Sequence, residues 1–183
     1  MFNDFYKGKK VLVTGHTGFK GSWLCNWLIS LGAEVSGVSD EIPTQPSLFE
    51  ISDLGTKVDH HICDVTDTSA FKTLLNSINP DVIFHLAAQA IVSTSYDNPL
   101  DTINTNAYGT ANVCDFLKDC QRPIICVLIT SDKCYENVEW AYGYREDDKL
   151  GGKDIYSASK ACAEILYSSY FHSFLKHNEN VRV

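Results

Sequence analysis

Short apolar runs and amphipathic stretches alternate from one end of the chain to the other. Val11–Thr14 reads as a first strand. From Ser22 to Leu31, the residues Trp23, Leu24, Trp27, Leu28 and Leu31 recur at helical spacing. Gly32 ends that helix, and Glu34–Val38 reads as the second strand. Asp40–Phe49 carries Pro43 and Pro46 and is expected to be a loop. Val58–Ile62 is the third predicted strand, followed by an acidic turn from Cys63 to Asp67. Asp67 or Thr68 can cap a helix running to about Asn79, whose inner stripe is Phe71, Leu74, Leu75 and Ile78. Asn79-Pro80-Asp81 stops it, and Val82–Leu86 is the fourth strand. A long helix from about Pro99 to Lys118, a fifth strand Ile124–Ile129 and a last helix from Tyr156 to about Lys176 follow. Val181-Arg182-Val183 reads as the start of a sixth strand. This alternation predicts an α/β fold: a doubly wound parallel sheet, formed as one domain over residues 1–183.

The last helix offers two usable faces. Tyr156, Lys160, Ala163, Tyr167, Tyr170 and Phe174 form one stripe, and Ala158, Ala161, Cys162, Ile165 and Ser169 form the other. Packing on a sheet needs only one, so the second is expected to meet another helix, in this chain or in a second copy.

Composition narrows the class. At 183 residues the chain suits one core, and 44% hydrophobic residues make it a folded domain and not a disordered segment. A net charge of −8 argues against nucleic acid or an anionic membrane as partner. The N-terminal residues carry no apolar signal core, and the run Ile124–Ile129 is far too short to span a bilayer. The seven cysteines, with no C-x-x-C pair, point neither to a metal site nor to a redox motif. They read as small buried hydrophobes in a reducing cytoplasm.

Three constellations carry chemistry. Gly15-x-x-Gly18-x-x-Gly21 follows the first strand and opens the first helix. Glycines let the backbone turn and let a ligand approach, and the helix N-terminus beyond presents free N–H groups suited to a pyrophosphate. Tyr156 and Lys160, four apart on a helix, share a face. A lysine cation favours the phenolate, and bringing a tyrosine from near 10 to neutrality takes roughly 4 kcal/mol. Ser131-Asp132-Lys133 lies directly after the fifth strand, where ligands of such sheets bind. There a hydroxyl, a carboxyl and an ammonium can hydrogen-bond a substrate and move protons on it. Asp64 at the end of the third strand could reach an adenine amino group, and Ala87 and Ala88 after the fourth leave room for a flat cofactor. Asn106, Gly109, Thr110 and Asn112 put polar groups inside an otherwise packed helix, which packing alone does not need. Singly, each of these has a plain structural reading; His85 in particular reads as a satisfied core histidine.

Their order along the chain resembles the extended short-chain dehydrogenase/reductase family, and within it the CDP-glucose 4,6-dehydratase branch. The resemblance rests on residues 14–24, 43–50, 131–137, 142–146 and 150–160, and covers the whole chain. It implies a tightly held NAD and a nucleotide-sugar substrate, CDP-glucose, in deoxysugar and lipopolysaccharide synthesis. By position, Gly15, Thr17, Gly18, Phe19, Gly21, Ser39, Asp40, Asp64, Val65, Leu86, Ala87, Ala88, Asn106, Tyr156 and Lys160 would line the cofactor. Ser39 stands where the adenosine ribose usually meets an acid, with Asp40 beside it and no arginine nearby to favour a 2′-phosphate. Tyr156 would be the base for oxidation and Lys160 its partner on the nicotinamide ribose. Ser131 would bond the sugar 4-oxygen, and Asp132 would be the acid on the leaving 6-hydroxyl. Lys133 stands where many sugar 4,6-dehydratases carry a glutamate base. An epimerase of the same family needs no such acid, so Asp132 beside Lys133 separates the two readings. A non-catalytic NAD-binding fragment is the other alternative. Family members run to about twice this length, so the resemblance also implies a truncated enzyme, its substrate domain absent, with a homodimer formed through the two long helices.

Overall fold

The computed structural model describes residues 2–183. Its centre is a six-stranded sheet made of β1 (Lys10–Thr14), β2 (Glu34–Ser39), β3 (Asp59–Ile62), β4 (Val82–His85), β5 (Ile124–Leu128) and β6 (Val181–Arg182). The spatial order is β3-β2-β1-β4-β5-β6, with every pair parallel. The chain therefore leaves every strand at the same edge of the sheet, and the order reverses between β1 and β4.

Alternation along β1 splits its side chains between two cores. Leu12 points into a cluster with Ile83, Phe71, Leu75, Val113 and Leu117, on the face covered by α3 (Thr68–Ile78) and α6 (Gly109–Lys118). Val11 and Val13 meet Cys25 and Leu28 of α1 (Phe19–Ser30), with Phe49 from the short α2 (Leu48–Ile51), on the other face. Asp67 caps α3, its carboxylate accepting from the Ala70 N–H at 3.0 Å, and Asn79 closes it in a left-handed conformation at φ 54°.

Beyond shifts of a few residues at helix ends, four departures from the sequence expectation stand out. The helix expected over Pro99–Lys118 is three pieces: α5 (Pro99–Ile103), a π-helical turn (Asn104–Tyr108) and α6. A further helix, α4 (Val92–Asp97), precedes them in a stretch with no helical stripe. The expected loop Asp40–Phe49 gives its last two residues to α2, which Ser47 caps by accepting from the Glu50 N–H at 3.1 Å. The fourth strand ends at His85: the Leu86 N–H makes the last ladder bond, to the Thr14 carbonyl at 3.2 Å, and also meets the Thr14 hydroxyl at 3.1 Å. The last helix, α7 (Ile155–Ser173), buries Tyr156, Lys160, Ala161 and Ala163, while Cys162 and Ile165 stay exposed. Its second stripe is thus only partly covered within the chain.

Candidate active site at the carboxyl edge of the sheet

Parallel pairing brings five sequence-distant segments to one edge. These are the Gly15–Gly21 turn after β1, Ser39 and Asp40 at and after β2, Asp64 after β3, Leu86–Ala88 after β4, and Ser131–Lys133 after β5. The one-turn 3-10 helix Asp132–Cys134 packs against α7, which carries Tyr156 and Lys160.

The three glycines are required for different reasons. Gly15 sits at φ +70°, and a Cβ there would lie 2.9 Å from the Ala87 nitrogen. A Cβ on Gly21 would lie 2.1 Å from the Gly15 carbonyl oxygen, so this glycine lets α1 close onto the turn. Gly18 is another matter. Its φ of −72° and ψ of 166° suit any residue, and a Cβ would meet only the Gly15 carbonyl oxygen, at 3.4 Å. The protein itself has little need of glycine at position 18. What would fill a side chain's place there is a ligand at the uncapped N-terminus of α1, whose first N–H groups carry no side-chain cap. The chain's residues therefore fit a dinucleotide's pyrophosphate.

Thr14 fastens the two central strand ends together. Its hydroxyl oxygen accepts from the Leu86 and Ala87 N–H groups at 3.1 and 3.0 Å and is 2.8 Å from His85 Nδ1. His85 is buried, which pulls its pKa down to about 4, so it is a neutral core residue. His16 is fully buried against Gly37, where a Cβ would collide with the ring at 2.2 Å. Its Nδ1 lies 3.0 Å from Ser39 Oγ and its Nε2 lies 2.7 Å from His60 Nδ1; burial holds it down at about 4 as well. Ser39 thus turns its hydroxyl inward, to His16 and to the Thr17 N–H at 3.4 Å, and Asp40 is the exposed group at that strand end. Thr17 donates its hydroxyl to the Glu41 carbonyl at 2.6 Å, while the Phe19 ring stays 72% exposed at the turn. Asp64 is exposed, and Val65 is buried beneath Gly109, its carbonyl accepting from Asn112 at 2.9 Å.

The buried polar groups noted in the long helix have a use. Asn106 lies inside the π turn, accepts from the Gln89 N–H at 2.8 Å and donates to the Gln89 carbonyl at 3.0 Å. It also donates to Ser159 Oγ at 2.8 Å, and Ser159 donates to the Tyr156 carbonyl at 2.7 Å. The loop after β4 is therefore pinned to the first turn of α7. Ser159 and His16 escaped the sequence reading because a serine in a helix and a histidine in a turn carry no signal of their own.

Tyr156 and Lys160 are 8% and 6% exposed, with the ammonium 5.9 Å from the tyrosine ring centre. Burial pulls Lys160 down to about 8, Lys20 adds to this, and no anion among the described residues offsets it. An almost buried cation without an anionic partner is a second feature that a bound polar ligand would complete. Because the folded value lies below the ordinary 10.5, burying the charge costs stability below pH 8, and the cost fades as pH rises towards 10.5. At 1.36 kcal/mol per unit this is about 3 kcal/mol. Lys160→Met is therefore expected to stabilise the chain by about 1–3 kcal/mol at neutral pH. It should also flatten the rise in stability between pH 8 and 10.5, read from urea midpoints; an unchanged slope would contradict the burial cost.

Ser131 donates to Asp132 Oδ1 at 3.0 Å and accepts from the Lys133 N–H at 3.3 Å; the Asp132 and Lys133 side chains are exposed. Among the described residues, no group of three or more His, Cys, Asp or Glu could hold a metal ion, and no helix is long and apolar enough to cross a membrane. All seven cysteines are free thiols; Cys25, Cys114, Cys120, Cys126 and Cys134 are buried, Cys63 is half-buried and Cys162 exposed.

The chain is 46% identical over 171 residues to the CDP-glucose 4,6-dehydratase of Salmonella typhimurium, covering 93% of this chain and 48% of that protein. It is 34% identical over 129 residues to GDP-mannose 4,6 dehydratase 2 of Caenorhabditis elegans, covering 33% of that protein. The chain thus spans at most about half the length of these curated relatives. The solved UDP-glucose 4-epimerase of Thermus thermophilus, a complex with NAD, superposes with a TM-score of 0.75 at 25% identity, over 90% of this chain and 51% of that one. A family model described as GDP-mannose 4,6 dehydratase matches residues 12–182, so the chain belongs to that family of nucleotide-sugar dehydratases.

Proposed function

We propose that residues 1–183 form the NAD-binding and catalytic domain of a CDP-glucose 4,6-dehydratase. Gly18 carries the cofactor part of this reading, since its backbone needs no glycine and its open side faces the helix N-terminus. The 46% identity to the Salmonella enzyme supports the choice of CDP-glucose. Gly15, Gly18 and Gly21 would hold the pyrophosphate, Asp64 the adenine, Asp40 the adenosine ribose, with Ser39 buried behind it on His16, and Lys160 the nicotinamide ribose. Thr17, Phe19, Val65, Leu86, Ala87, Ala88 and Asn106 would complete the cofactor's surroundings. NAD, when bound, supplies a reversible hydride acceptor.

The chain's own groups handle the protons. Tyr156 takes the proton of the sugar 4-hydroxyl, with the Lys160 charge stabilising its phenolate. Ser131 donates to the 4-oxygen. Asp132 delivers a proton to the 6-hydroxyl, which leaves as water, and the carbon 5 proton passes to the neutral amine of Lys133; the hydride taken from carbon 4 would return to carbon 6 and a proton from Lys133 to carbon 5. The outcome is CDP-4-keto-6-deoxyglucose and water. Asp132 favours this over epimerisation, which has no leaving hydroxyl to protonate. The uncovered Cys162 and Ile165 on α7 are the surface assigned to a second copy, and the free thiols suit a cytoplasmic enzyme.

A version extended to the length of the Salmonella protein should convert CDP-glucose, whereas the 183-residue chain should bind NAD and give no product. Catalysis needs the sugar held in place, and positioning supplies several kcal/mol of the barrier. Product from the short chain would show that the remaining half is dispensable. An extended version that leaves CDP-glucose untouched would refute the substrate.

A further inference from the structure

We infer that Glu164 is a positioning residue that holds the Ser131–Asp132–Lys133 turn in register with the Tyr156–Lys160 helix. The inference deepens the dehydratase reading and rests on it for the roles of those residues. The two groups of catalytic side chains stand on separate elements, one in a turn after β5 and the other on the first turns of α7. A productive site needs them fixed relative to each other to a fraction of an ångström.

The side-chain bond that spans them runs from Thr130, the residue before Ser131, whose hydroxyl donates to Glu164 Oε1. Glu164 lies one helical turn beyond Lys160 and so shares its face. Its carboxylate is only part-exposed, and its charge is felt on the far side of the turn as well. Burial pushes up Cys134 and Tyr135, and Glu164 adds to both. It lines a cavity of about 270 Å³ with Thr110, Thr130 and Tyr167, so truncating it would leave space and not a repacked contact. Within the turn, the Cys134 N–H donates to the Ser131 carbonyl at 2.9 Å and the Tyr135 N–H to the Asp132 carbonyl at 3.1 Å. These two amides report directly on whether the turn is held.

Hydrogen exchange on this chain tests the inference without turnover. Losing one charge-assisted bond should speed exchange at the Cys134 and Tyr135 amides by about tenfold in Glu164→Ala. Thr130→Val removes the same bond from the other side, almost without change of shape, and should have the same effect. The double variant should be no worse than either. Glu164→Gln keeps an acceptor oxygen and should restore exchange to within about threefold of the parent. The Leu86 amide, bonded to Thr14, should be unaffected throughout. In the extended version, Glu164→Ala should lower product formation at least about tenfold while NAD affinity stays unchanged. Unchanged exchange at Cys134 and Tyr135, additive effects in the double variant, or failure of Gln to rescue would each overturn the role of Glu164. An unmodified extended version that makes no product would instead overturn the dehydratase reading alone.

Discussion

In an extended version given CDP-glucose, Asp132→Asn is expected to build up reduced nicotinamide on the enzyme, visible by its absorbance, with little dehydrated sugar. The substitution keeps the shape of the turn and the acceptor for Ser131, which lies 3.0 Å from Asp132 Oδ1, but it removes the proposed acid. Oxidation at carbon 4, in the proposed mechanism, is left to Tyr156 and Lys160, which are buried on another element and form no hydrogen bond to Asp132. Elimination loses its proton donor and should slow by about 10²–10⁴-fold, the usual worth of a positioned acid. Tyr156→Phe removes the proposed base of the first stage and should show neither reduced nicotinamide nor product. If Asp132→Asn behaved like Tyr156→Phe, or kept full dehydration, Asp132 would not be the acid, and Lys133 would be the next group to test.

What could be read from sequence was what is local. The glycine turn, the four-residue spacing of Tyr156 and Lys160, and the apolar runs of the strands each lie within a few residues, so their periodicity shows without the fold. The π turn could not be read in this way. It lets Asn106 reach both Gln89 backbone groups and Ser159, partners 17 and 53 residues away. The helix α4 was missed because Val92–Asp97 is mostly polar and small and presents no stripe. The Thr130–Glu164 bond spans 34 residues, and only the docking of α7 on the turn makes it visible. The inward turn of Ser39 was equally hidden, since it depends on His16 being buried beneath it.

The second large effect concerns the glycine turn and separates binding from folding. Gly18→Val should leave stability within about 0.5–1 kcal/mol of the parent, since the position has ordinary dihedrals and open space. It should nevertheless weaken NAD binding by at least about a hundredfold, because the side chain would occupy the place of the pyrophosphate. Gly21→Ala should do the opposite of a clean binding defect. Its Cβ would stand 2.1 Å from the Gly15 carbonyl oxygen and 2.7 Å from the His16 Cα, so the helix must shift, at a cost of about 1–3 kcal/mol in stability. Calorimetric titration and urea unfolding of the two variants distinguish these outcomes. Equal NAD affinity in the parent and Gly18→Val would place the cofactor elsewhere.

In the proposed reaction one site oxidises the sugar at carbon 4 and reduces it again at carbon 6 with loss of water. Its most direct test is to give the extended version CDP-glucose carrying deuterium on carbon 4 and to locate the label by NMR. The expected product is CDP-4-keto-6-deoxyglucose with the deuterium on carbon 6. A product with the label lost to solvent, or a sugar with the deuterium still on carbon 4 and its configuration inverted, would contradict it.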